Sequence, residues 1–392
     1  MKKKFAFVVC TILLVSPISA IACSMYKVTQ DGKTVVGNNE DFTTPNAQFI
    51  FEKSIGENNG VMYMSFLNEF IQGAVNDKGL MFDGFYEPLL EVKNTKGKED
   101  IYIGDALQLV MKTMSTCEEA KEYLETINLS VLESGQIVFV DRSGTFLIIE
   151  GDVMILGDDP QKSFSNFYYS QTENLDDVDI GFYQKGRQFL NSSEPTSSLD
   201  YCSEVMQNFS QSGIASTQYS TLYDLEMNKI RIHLFQDYGN YIELDLAAEL
   251  KKGNRKIMIP ELFPPESIGH SYYSKYNNVE HPTILLEELL EEHDGNEKDL
   301  FENGIHNIII DLGEEWIYDI KNPVGAINVF NYGIELMPSN SDLHYYLGKS
   351  YAENKEWENA IMYYKLALVM NPNDPDAGRR IKEAEKMMGN NK

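Results

Sequence analysis

The chain has 392 residues, of which 43% are hydrophobic and 11% aromatic, and its formal net charge is −27. This composition excludes disorder for the chain as a whole, and the length favours two domains or one large domain with an appendage. Because 33 basic residues face 60 acidic ones, there is no basic footprint for phosphates, and nucleic acid is not an expected partner.

The first 22 residues have the pattern of a secretory signal peptide, with lysines at the start and an apolar stretch over residues 5–15. Ala20 and Ala22 suit a signal peptidase, so cleavage after Ala22 leaves Cys23 as the first residue of an exported, periplasmic or extracellular protein. The apolar stretch is shorter than the roughly 20 residues that cross a bilayer. A rival interpretation stays open, in which Cys23 is the lipid-modified anchor of a bacterial lipoprotein.

Three cysteines remain after export, namely Cys23, Cys117 and Cys202. An odd number leaves at least one thiol unpaired. If Cys23 is the reactive one, Cys117 and Cys202 either form a disulfide or are two buried free thiols, since sequence alone does not show whether they meet.

The remaining chain divides into strand-like and helix-like stretches. Short alternating runs predict hairpins over residues 23–100, and the apolar period becomes helical from Gly104 onwards. The further predictions are a helix at 117–127, strands at 136–141 and 145–150, helices over about 181–209, and strands over 217–246. This order indicates an α+β fold with two helical layers around stacked sheets, a four-layer αββα sandwich over residues 23–258.

Residues 259–300 differ in composition and are interpreted as a linker, because prolines and an acidic run interrupt the pattern. An internal repeat follows. Its spacing is 34 residues, the tetratricopeptide period, as three pairs show: Ala326 and Ala360, Phe330 and Tyr364, Pro338 and Pro372.

Residues 301–388 are therefore predicted to be an all-α tetratricopeptide-repeat domain. The first copy is degenerate, since Gly313 lies one residue out of step with Gly348. Fewer than three full repeats rarely stand alone, which leaves two interpretations open: a helical appendage packed on the first domain, or a groove for a protein or peptide partner. A homo-oligomer is also compatible with these repeats.

The position of Cys23 points to chemistry. A thiol on the first residue lies beside a free α-amine with a pKa of about 7.7–8.0, which can accept the thiol proton. No histidine occurs between Cys23 and His233, so a Cys-His pair has no partner within the strand-rich first part. Metal-binding histidine motifs are absent, and neither a metal nor a cofactor is predicted.

Four short motifs extend from Cys23 to residue 224. Cys23 is followed by residues 37–41, Gly-Asn-Asn-Glu-Asp, and residues 73–80 read Gly-Ala-Val-Asn-Asp-Lys-Gly-Leu. Residues 165–167 read Ser-Asn-Phe, and residues 217–224 begin Thr-Gln-Tyr-Ser-Thr. In this order they resemble motifs of the cysteine N-terminal nucleophile hydrolases of the choloylglycine hydrolase and penicillin V acylase type, and of their acyltransferase relatives.

The resemblance implies a role for four residues. Cys23 would be the nucleophile and Asp41 the carboxylate next to it, while the Asn166 side chain and the Tyr86 backbone N–H would donate to the oxyanion of a tetrahedral intermediate. The implied activity is hydrolysis of a linear N-acyl amide, a small-molecule substrate, through a thioester. Two alternatives remain: an acyltransferase that uses the same site, and an inactive lipoprotein or scaffold that acts through its repeats.

The chain also departs from the family. The early arginine of the family is Asn38 here, and a later arginine expected just before Thr217 is missing from residues 214–216. Arg187 is a candidate substitute in substrate binding, or a surface residue of a helix. Asp83 is a candidate residue of the acyl pocket. These differences argue against bile-salt substrates and leave the substrate open.

Overall fold

The computed structural model describes residues 23–67, 70–212, 216–291, 296–302 and 304–390. The predicted signal peptide, residues 1–22, lies outside the described residues. None of the helices in these ranges combines the length and apolar character that crossing a membrane requires.

The strands form two antiparallel sheets. In chain order they are β1 Ser24–Gln30, β2 Lys33–Phe42, β3 Ala47–Glu52, β4 Val61–Phe66, β5 Ile71–Asn76, β6 Met81–Tyr86, β7 Gly135–Val140, β8 Phe146–Glu150, β9 Val153–Gly157, β10 Gln161–Ser165, β11 Ser216–Asp224, β12 Lys229–Leu234, β13 Ile242–Asp245 and β14 Arg255–Met258. The first sheet has the order β10-β1-β2-β11-β12-β13, and the second has the order β14-β3-β4-β5-β6-β7-β8-β9.

A tight hairpin joins β1 to β2. Asp31 and Gly32 both have positive φ, 53° and 76°, and Gln30 pairs with Lys33 across the turn. Two consecutive positive φ values give a two-residue turn whose twist matches that of the strands, and Asp-Gly is a favoured sequence for it. The turn fixes the register of β1 against β2, on which the position of Cys23 depends.

The helices follow the predicted order in the first part and extend to the end of the chain. They are α1 Ile103–Thr113, α2 Cys117–Leu124, α3 Gly181–Ser192, α4 Leu199–Asn208, α5 Leu246–Lys251, α6 Ile268–Tyr276, α7 Ile284–Glu291, α8 Glu297–Glu302, α9 Ile305–Tyr318, α10 Pro323–Leu336, α11 Ser341–Glu353, α12 Trp357–Met370 and α13 Pro375–Asn390. Local sequence sets several of their starts. Thr116 and Glu119 form a capping box on α2, for example.

Three apolar clusters build four layers. The central cluster lies between the sheets and joins Met25 and Val36 of the first sheet to residues such as Phe49 and Val138 of the second. A second cluster packs α1 and α2 on the outer face of the second sheet, and a third packs α3 and α4 on the outer face of the first. The predicted αββα arrangement is therefore the one that the contacts build.

Strand alternation decides which residues face the central layer. Successive side chains of a strand point to opposite faces, so Met25 and Val36 point between the sheets, whereas Tyr26 and Val35 point toward α3 and α4. This parity extends along β2 to its polar end at residues 38–41.

The segment predicted as a linker carries helices of its own. α6, α7 and α8 lie within residues 259–300, and Tyr276 of α6 belongs to the apolar cluster of the helical region. Tyr272 of the same helix stacks on Phe235, the residue directly after β12. The segment therefore joins the sheets to the repeats through packed side chains.

Helices α9 to α13 pack as antiparallel neighbours in the predicted repeat region. Gly348 lies against the Tyr364 ring and Gly313 lies against the Phe330 ring, so a Cβ at either glycine would clash with its aromatic partner. The glycine that is out of step in sequence thus has the same packing role as its counterpart. Ala326 is buried in this region like the other small residues of the repeat.

The helical region touches the sandwich beside the polar end of β2. Thr44 donates to Glu315 of α9 at 2.9 Å, and Asn46 donates to the same carboxyl group at 2.7 Å. Thr43 donates to Asp311 at 3.1 Å. Burial raises the pKa of Glu315 to about 7 and that of Asp311 to about 6, although these donors oppose the rise.

Candidate active site

Sheet register places Cys23 at the end of the central layer. Ser24 pairs with Asn39 of β2 and with Ser165 of β10. One residue earlier in an antiparallel ladder, Cys23 comes opposite Glu40 on one side and the residue after Ser165 on the other. The Ser165 hydroxyl also donates to the Cys23 carbonyl at 2.8 Å. Two neighbouring strands thus hold the cysteine backbone in place.

Glu40 provides the carboxyl group that contacts the thiol. The Cys23 thiol donates to Glu40 Oε2 with an Sγ–O distance of 3.5 Å, and Asn38 Nδ2 donates to Glu40 Oε1 at 2.9 Å. Strand parity explains this, because Asn38 and Glu40 share the inward face of β2 with Val36. The sequence-based expectation assigned this place to Asp41, which has the opposite parity.

Asp41 is held from the neighbouring strand. Its Oδ1 accepts from the Thr217 hydroxyl at 2.5 Å, and its Oδ2 is buried without a hydrogen-bond partner among the described residues. Burial raises the pKa of the Asp41 carboxyl well above its usual value; the Thr217 hydrogen bond opposes this rise and the charge of Glu40 adds to it. Asp41 therefore directly follows Glu40, the residue opposite Cys23, but its carboxyl group bonds to Thr217 and not to the thiol.

Asp83 brings a third carboxyl group from the second sheet. It lies on β6 between the inward-facing Met81 and Phe85, and it is fully buried. Burial raises the pKa of Asp83, and the charge of Glu40 raises it further, while the nearby Gly84 N–H opposes the rise. The hydrogen bond between the two carboxyl groups also raises the pKa of Asp83 and lowers that of Glu40, so Asp83 is the member of the pair that more readily keeps a proton.

These surroundings disfavour a free thiolate. Burial raises the pKa of the Cys23 thiol well above its ordinary value, and the charges of Glu40, Asp41 and Asp83 raise it further; the Asp41 backbone N–H opposes this. The thiol is therefore protonated at neutral pH unless a base or a positive charge comes next to it. Its chemistry depends on that partner.

Asn166 and Tyr86, the two residues that the sequence motifs assigned to the oxyanion, contact each other. Asn166 Nδ2 donates to the Tyr86 carbonyl at 2.7 Å, which ties the loop after β10 to the end of β6. A primary amide carries two N–H donors, so this bond orients the group through one of them. Tyr86 is 67% exposed and Cys23 is 8% exposed, so the end of β6 borders solvent while the cysteine is buried.

Comparisons with known proteins give the following findings. No protein-family model matches the chain, and no curated protein matches it. Among solved structures, the chain is similar to penicillin V acylase from Agrobacterium tumefaciens, with a TM-score of 0.46 and 15% identity over 60% of this chain and 90% of that one. It is also similar to a mutant of the conjugated bile acid hydrolase from Clostridium perfringens, with a TM-score of 0.46 and 14% identity over 60% and 96%.

A structure titled "MamA AMB-1" is similar to another part, with a TM-score of 0.22 and 25% identity over 30% of this chain and 58% of that one. At these TM-scores the likenesses carry no argument about activity. The function proposed below therefore depends on the contacts around Cys23 and on the sequence motifs.

Two further candidates from the sequence have different surroundings. Asp83 lies in the cluster with Glu40, as described. Arg187 lies on α3, in the helical layer on the outer face of the first sheet, where it forms a 2.6 Å ion pair with Asp176 and lies over the Tyr183 ring. The structure therefore does not bring Arg187 to the thiol.

The remaining cysteines are free and buried. Cys117 donates through its thiol to the Thr145 carbonyl at 3.2 Å, and Cys202 is a residue of α4 that packs against the first sheet. The sequence left open a disulfide between them or two free thiols, and the structure has two free thiols. No group of three or more His, Cys, Asp or Glu side chains in the described part of the chain has an arrangement that could hold a metal ion.

Glu40 is the functional candidate that sequence reasoning missed. It stands within the motif at residues 37–41, at the one position of that motif where no particular residue type is expected. Strand alternation was the available signal, because Val36 is the last clearly apolar inward residue of β2, and counting by two from it reaches Asn38 and Glu40.

Proposed function

We propose that the mature protein is a hydrolase of linear N-acyl amides that uses Cys23 as its nucleophile. The observation that carries this proposal is the Cys23 thiol itself, held between two sheets and bonded to Glu40, with Asn166 bonded to the Tyr86 carbonyl. The four sequence motifs, which resemble the cysteine N-terminal nucleophile hydrolases, support the same reaction.

The first step needs a base for the thiol. Removal of residues 1–22 frees the α-amine of Cys23, which accepts the thiol proton as the thiolate attacks the amide carbonyl. The carboxyl groups of Glu40 and Asp41 stabilise the ammonium that results, because a nearby negative charge favours the protonated amine. The acidic cluster, which disfavours an isolated thiolate, thereby favours a thiolate–ammonium pair.

The second step stabilises the oxyanion and releases the amine. The Asn166 side chain and the Tyr86 backbone N–H donate to the oxygen that becomes negative in the tetrahedral intermediate. The ammonium of Cys23 returns its proton to the leaving amine, and a thioester between Cys23 and the acyl group remains. Water, deprotonated by the same α-amine, cleaves the thioester and releases the carboxylic acid.

Export, and a role for the helices, belong to the same proposal. Cleavage after Ala22 would place the enzyme in the periplasm or outside the cell, and the repeat helices would pack on the sandwich or bind a protein or peptide partner. An acyltransferase would use an amine instead of water in the last step. An inactive lipoprotein would carry a diacylglycerol group on Cys23, which an intact-mass measurement of the mature protein detects.

The main test replaces Cys23 by serine. Cys23→Ser is expected to fold and to lose nearly all hydrolysis of N-acyl amides, about 10³-fold or more in kcat, because serine is a far weaker nucleophile beside the same amine. Turnover of a panel of N-acyl amides measures this. The matched control is Cys117→Ser, whose hydroxyl can keep the bond to Thr145. Equal turnover by Cys23→Ser and the wild type would end the proposal.

A further inference from the structure

A second group of buried polar side chains lies at the end of the second sheet. Glu87 directly follows β6, Gln136 is on β7 and Glu150 is on β8, and each is at most 1% exposed. Gln136 pairs with Glu150 across the two strands, and alternation places both on the inward face with Val138. Glu87 comes two residues after the inward-facing Phe85. The three polar side chains therefore share one face at one end of the sheet.

These side chains hold the loop that carries Asn166. Gln136 Nε2 donates to the carbonyl of Phe167, the residue after Asn166, at 3.0 Å. Glu150 accepts from two consecutive backbone N–H groups, those of residues 169–170, one on each carboxyl oxygen, at 2.6 and 2.9 Å. The loop after β10 of the first sheet is thereby bonded to β7 and β8 of the second.

Glu87 and Gln136 contact each other and have complementary atoms left over. Gln136 Nε2 also donates to Glu87 Oε1, at 3.4 Å. Glu87 Oε2 and Gln136 Oε1 are both buried and have no hydrogen-bond partner among the described residues. Two oxygens without protons cannot bond to each other, but a proton on Glu87 Oε2 makes it a donor to the Gln136 carbonyl. A neutral Glu87 therefore completes a pair of two hydrogen bonds with the Gln136 amide.

The surroundings of Glu87 favour its neutral form. Burial raises the pKa of Glu87 to about 9, and the charge of Glu150 adds to this rise, while the Gln136 N–H opposes it. Tyr168 faces both carboxyl groups from the loop after β10; burial raises its pKa, and the charges of Glu87 and Glu150 raise it further. Its hydroxyl donates to the Pro88 carbonyl at 2.6 Å. Among the described residues, none of the groups that act on Glu87 is a cation.

We propose that Glu87 is a neutral acid in the working enzyme, paired with Gln136 through two hydrogen bonds, and that this pair positions the two oxyanion donors. The pair joins the residue after Tyr86 to the residue after Asn166, and those segments carry the donors. This role rests on the proposed function, which supplies the oxyanion. Loss of the Glu87 proton breaks one of the two bonds and puts a negative charge beside Glu150, so the segments separate. Glu87 is a positioning residue, since it acts on the oxyanion through its neighbours.

The test compares the pH profile of kcat for the wild type and for Glu87→Gln, on one neutral N-acyl amide. The amide of the variant can donate to Gln136 and accept from it, so it keeps both hydrogen bonds and does not ionise. The wild type is expected to lose about tenfold in kcat one pH unit above the pKa of Glu87, whereas Glu87→Gln keeps its kcat there. Glu91→Gln, at a nearby exposed position, is the matched control and should follow the wild type. Equal alkaline profiles for the wild type and Glu87→Gln would overturn the assignment.

A second variant tests the charge of Glu150. Glu150→Gln removes the negative charge that raises the pKa of Glu87, so the alkaline fall in kcat should move to lower pH. The variant also turns an NH2 group toward one of the two loop N–H groups, so kcat should be about tenfold lower at every pH. If Glu87→Gln does not fold, this variant decides alone. A fall that stays at the wild-type pH in Glu150→Gln would reject the proposal.

Failure of this proposal and failure of the proposed function give different results. If Cys23-dependent hydrolysis has the same pH profile in the wild type and in Glu87→Gln, the function stands and the positioning pair is wrong. If no amide is turned over, urea unfolding of the same two proteins decides the state of Glu87 on its own.

The sign of that stability effect is fixed. A carboxyl group whose pKa is raised on folding stabilises the folded state fully below its unfolded pKa, and less as the pH rises to the folded value. The stability of the wild type relative to Glu87→Gln should therefore fall as the pH rises from 4.5 to about 9. A difference that stays constant over this range would reject the neutral acid.

Discussion

Two groups of buried carboxyls contact the two ends of residues 40–46. Glu40 and Asp83 lie at the first end, Glu315 and Asp311 accept hydrogen bonds at the second, and the two environments differ. At Glu315 on α9, Thr44 and Asn46 donate directly to the carboxyl oxygens. At Glu40 and Asp83, the side-chain donors among the described residues are the Cys23 thiol and Asn38, both to Glu40, and Asp83 has no side-chain partner there besides Glu40. Burial raises the pKa in both places.

The difference separates a structural acid from a functional one. A buried carboxyl group whose oxygens accept hydrogen bonds from another part of the fold stabilises the contact between the two parts. A buried carboxyl group with few donors is unfavourable for folding, and it persists where a nucleophile uses it. Burial and a raised pKa alone would have ranked the two sites together, whereas their hydrogen bonds distinguish them.

The largest effect is expected at Asn166, the proposed oxyanion donor beside Cys23. Asn166→Ala removes an N–H donor to the developing negative charge and should lower kcat about 10²- to 10³-fold. Steady-state kinetics on a neutral amide measures this, with KM changing little. If KM rises and kcat is preserved, Asn166 binds the ground state and the oxyanion assignment is wrong.

The same substitution at the two carboxyl sites tests the comparison directly. Glu40→Gln removes the charge that holds the thiol and the α-ammonium, so kcat/KM for a neutral amide should fall about 10- to 100-fold, which corresponds to the 1.5–3 kcal/mol of a hydrogen bond to a charged group. Glu315→Gln should change kcat/KM for the same amide less than twofold. A similar loss of activity in both variants would contradict the distinction between them.

A third effect concerns the pH dependence of stability and not activity. The pKa of Glu315 is raised from 4.5 to about 7, so the folded state holds this proton more tightly than the unfolded chain. Its contribution is fully present below pH 4.5 and is lost as the pH rises to 7, by about 3 kcal/mol at 1.36 kcal/mol per unit.

Urea unfolding of the wild type and of Glu315→Gln at a series of pH values checks this prediction. The glutamine variant keeps the acceptor oxygen and does not titrate, so the difference between the two free energies of unfolding should change between pH 4.5 and 7. Glu358→Gln, at an exposed position of α12, is the control and should follow the wild type. A constant difference for Glu315→Gln would show that folding does not raise the pKa of this carboxyl.

Sequence pattern by itself predicted the layers of this protein and named the candidate site residues Cys23, Asp41, Tyr86 and Asn166. Alternation in the strands, helical periods at residues 104–127 and 181–209, and the 34-residue repeat predicted the order of elements that the structure has, because these signals are local. The motifs assigned Asn166 and Tyr86 to one site, and in the structure a hydrogen bond joins the two residues, which are far apart in the chain.

The tertiary structure decided which carboxyl group serves the thiol. Within residues 37–41, the choice between Glu40 and Asp41 depends on which face of β2 points between the sheets, and the partners on β11 and β6 complete it. The predicted linker also contains helices, and one of them, α6, packs on the sandwich through Tyr272. A sequence motif fixes which side chains are present, whereas the register of distant strands decides which of them meet, because a shift of one residue exchanges the two faces.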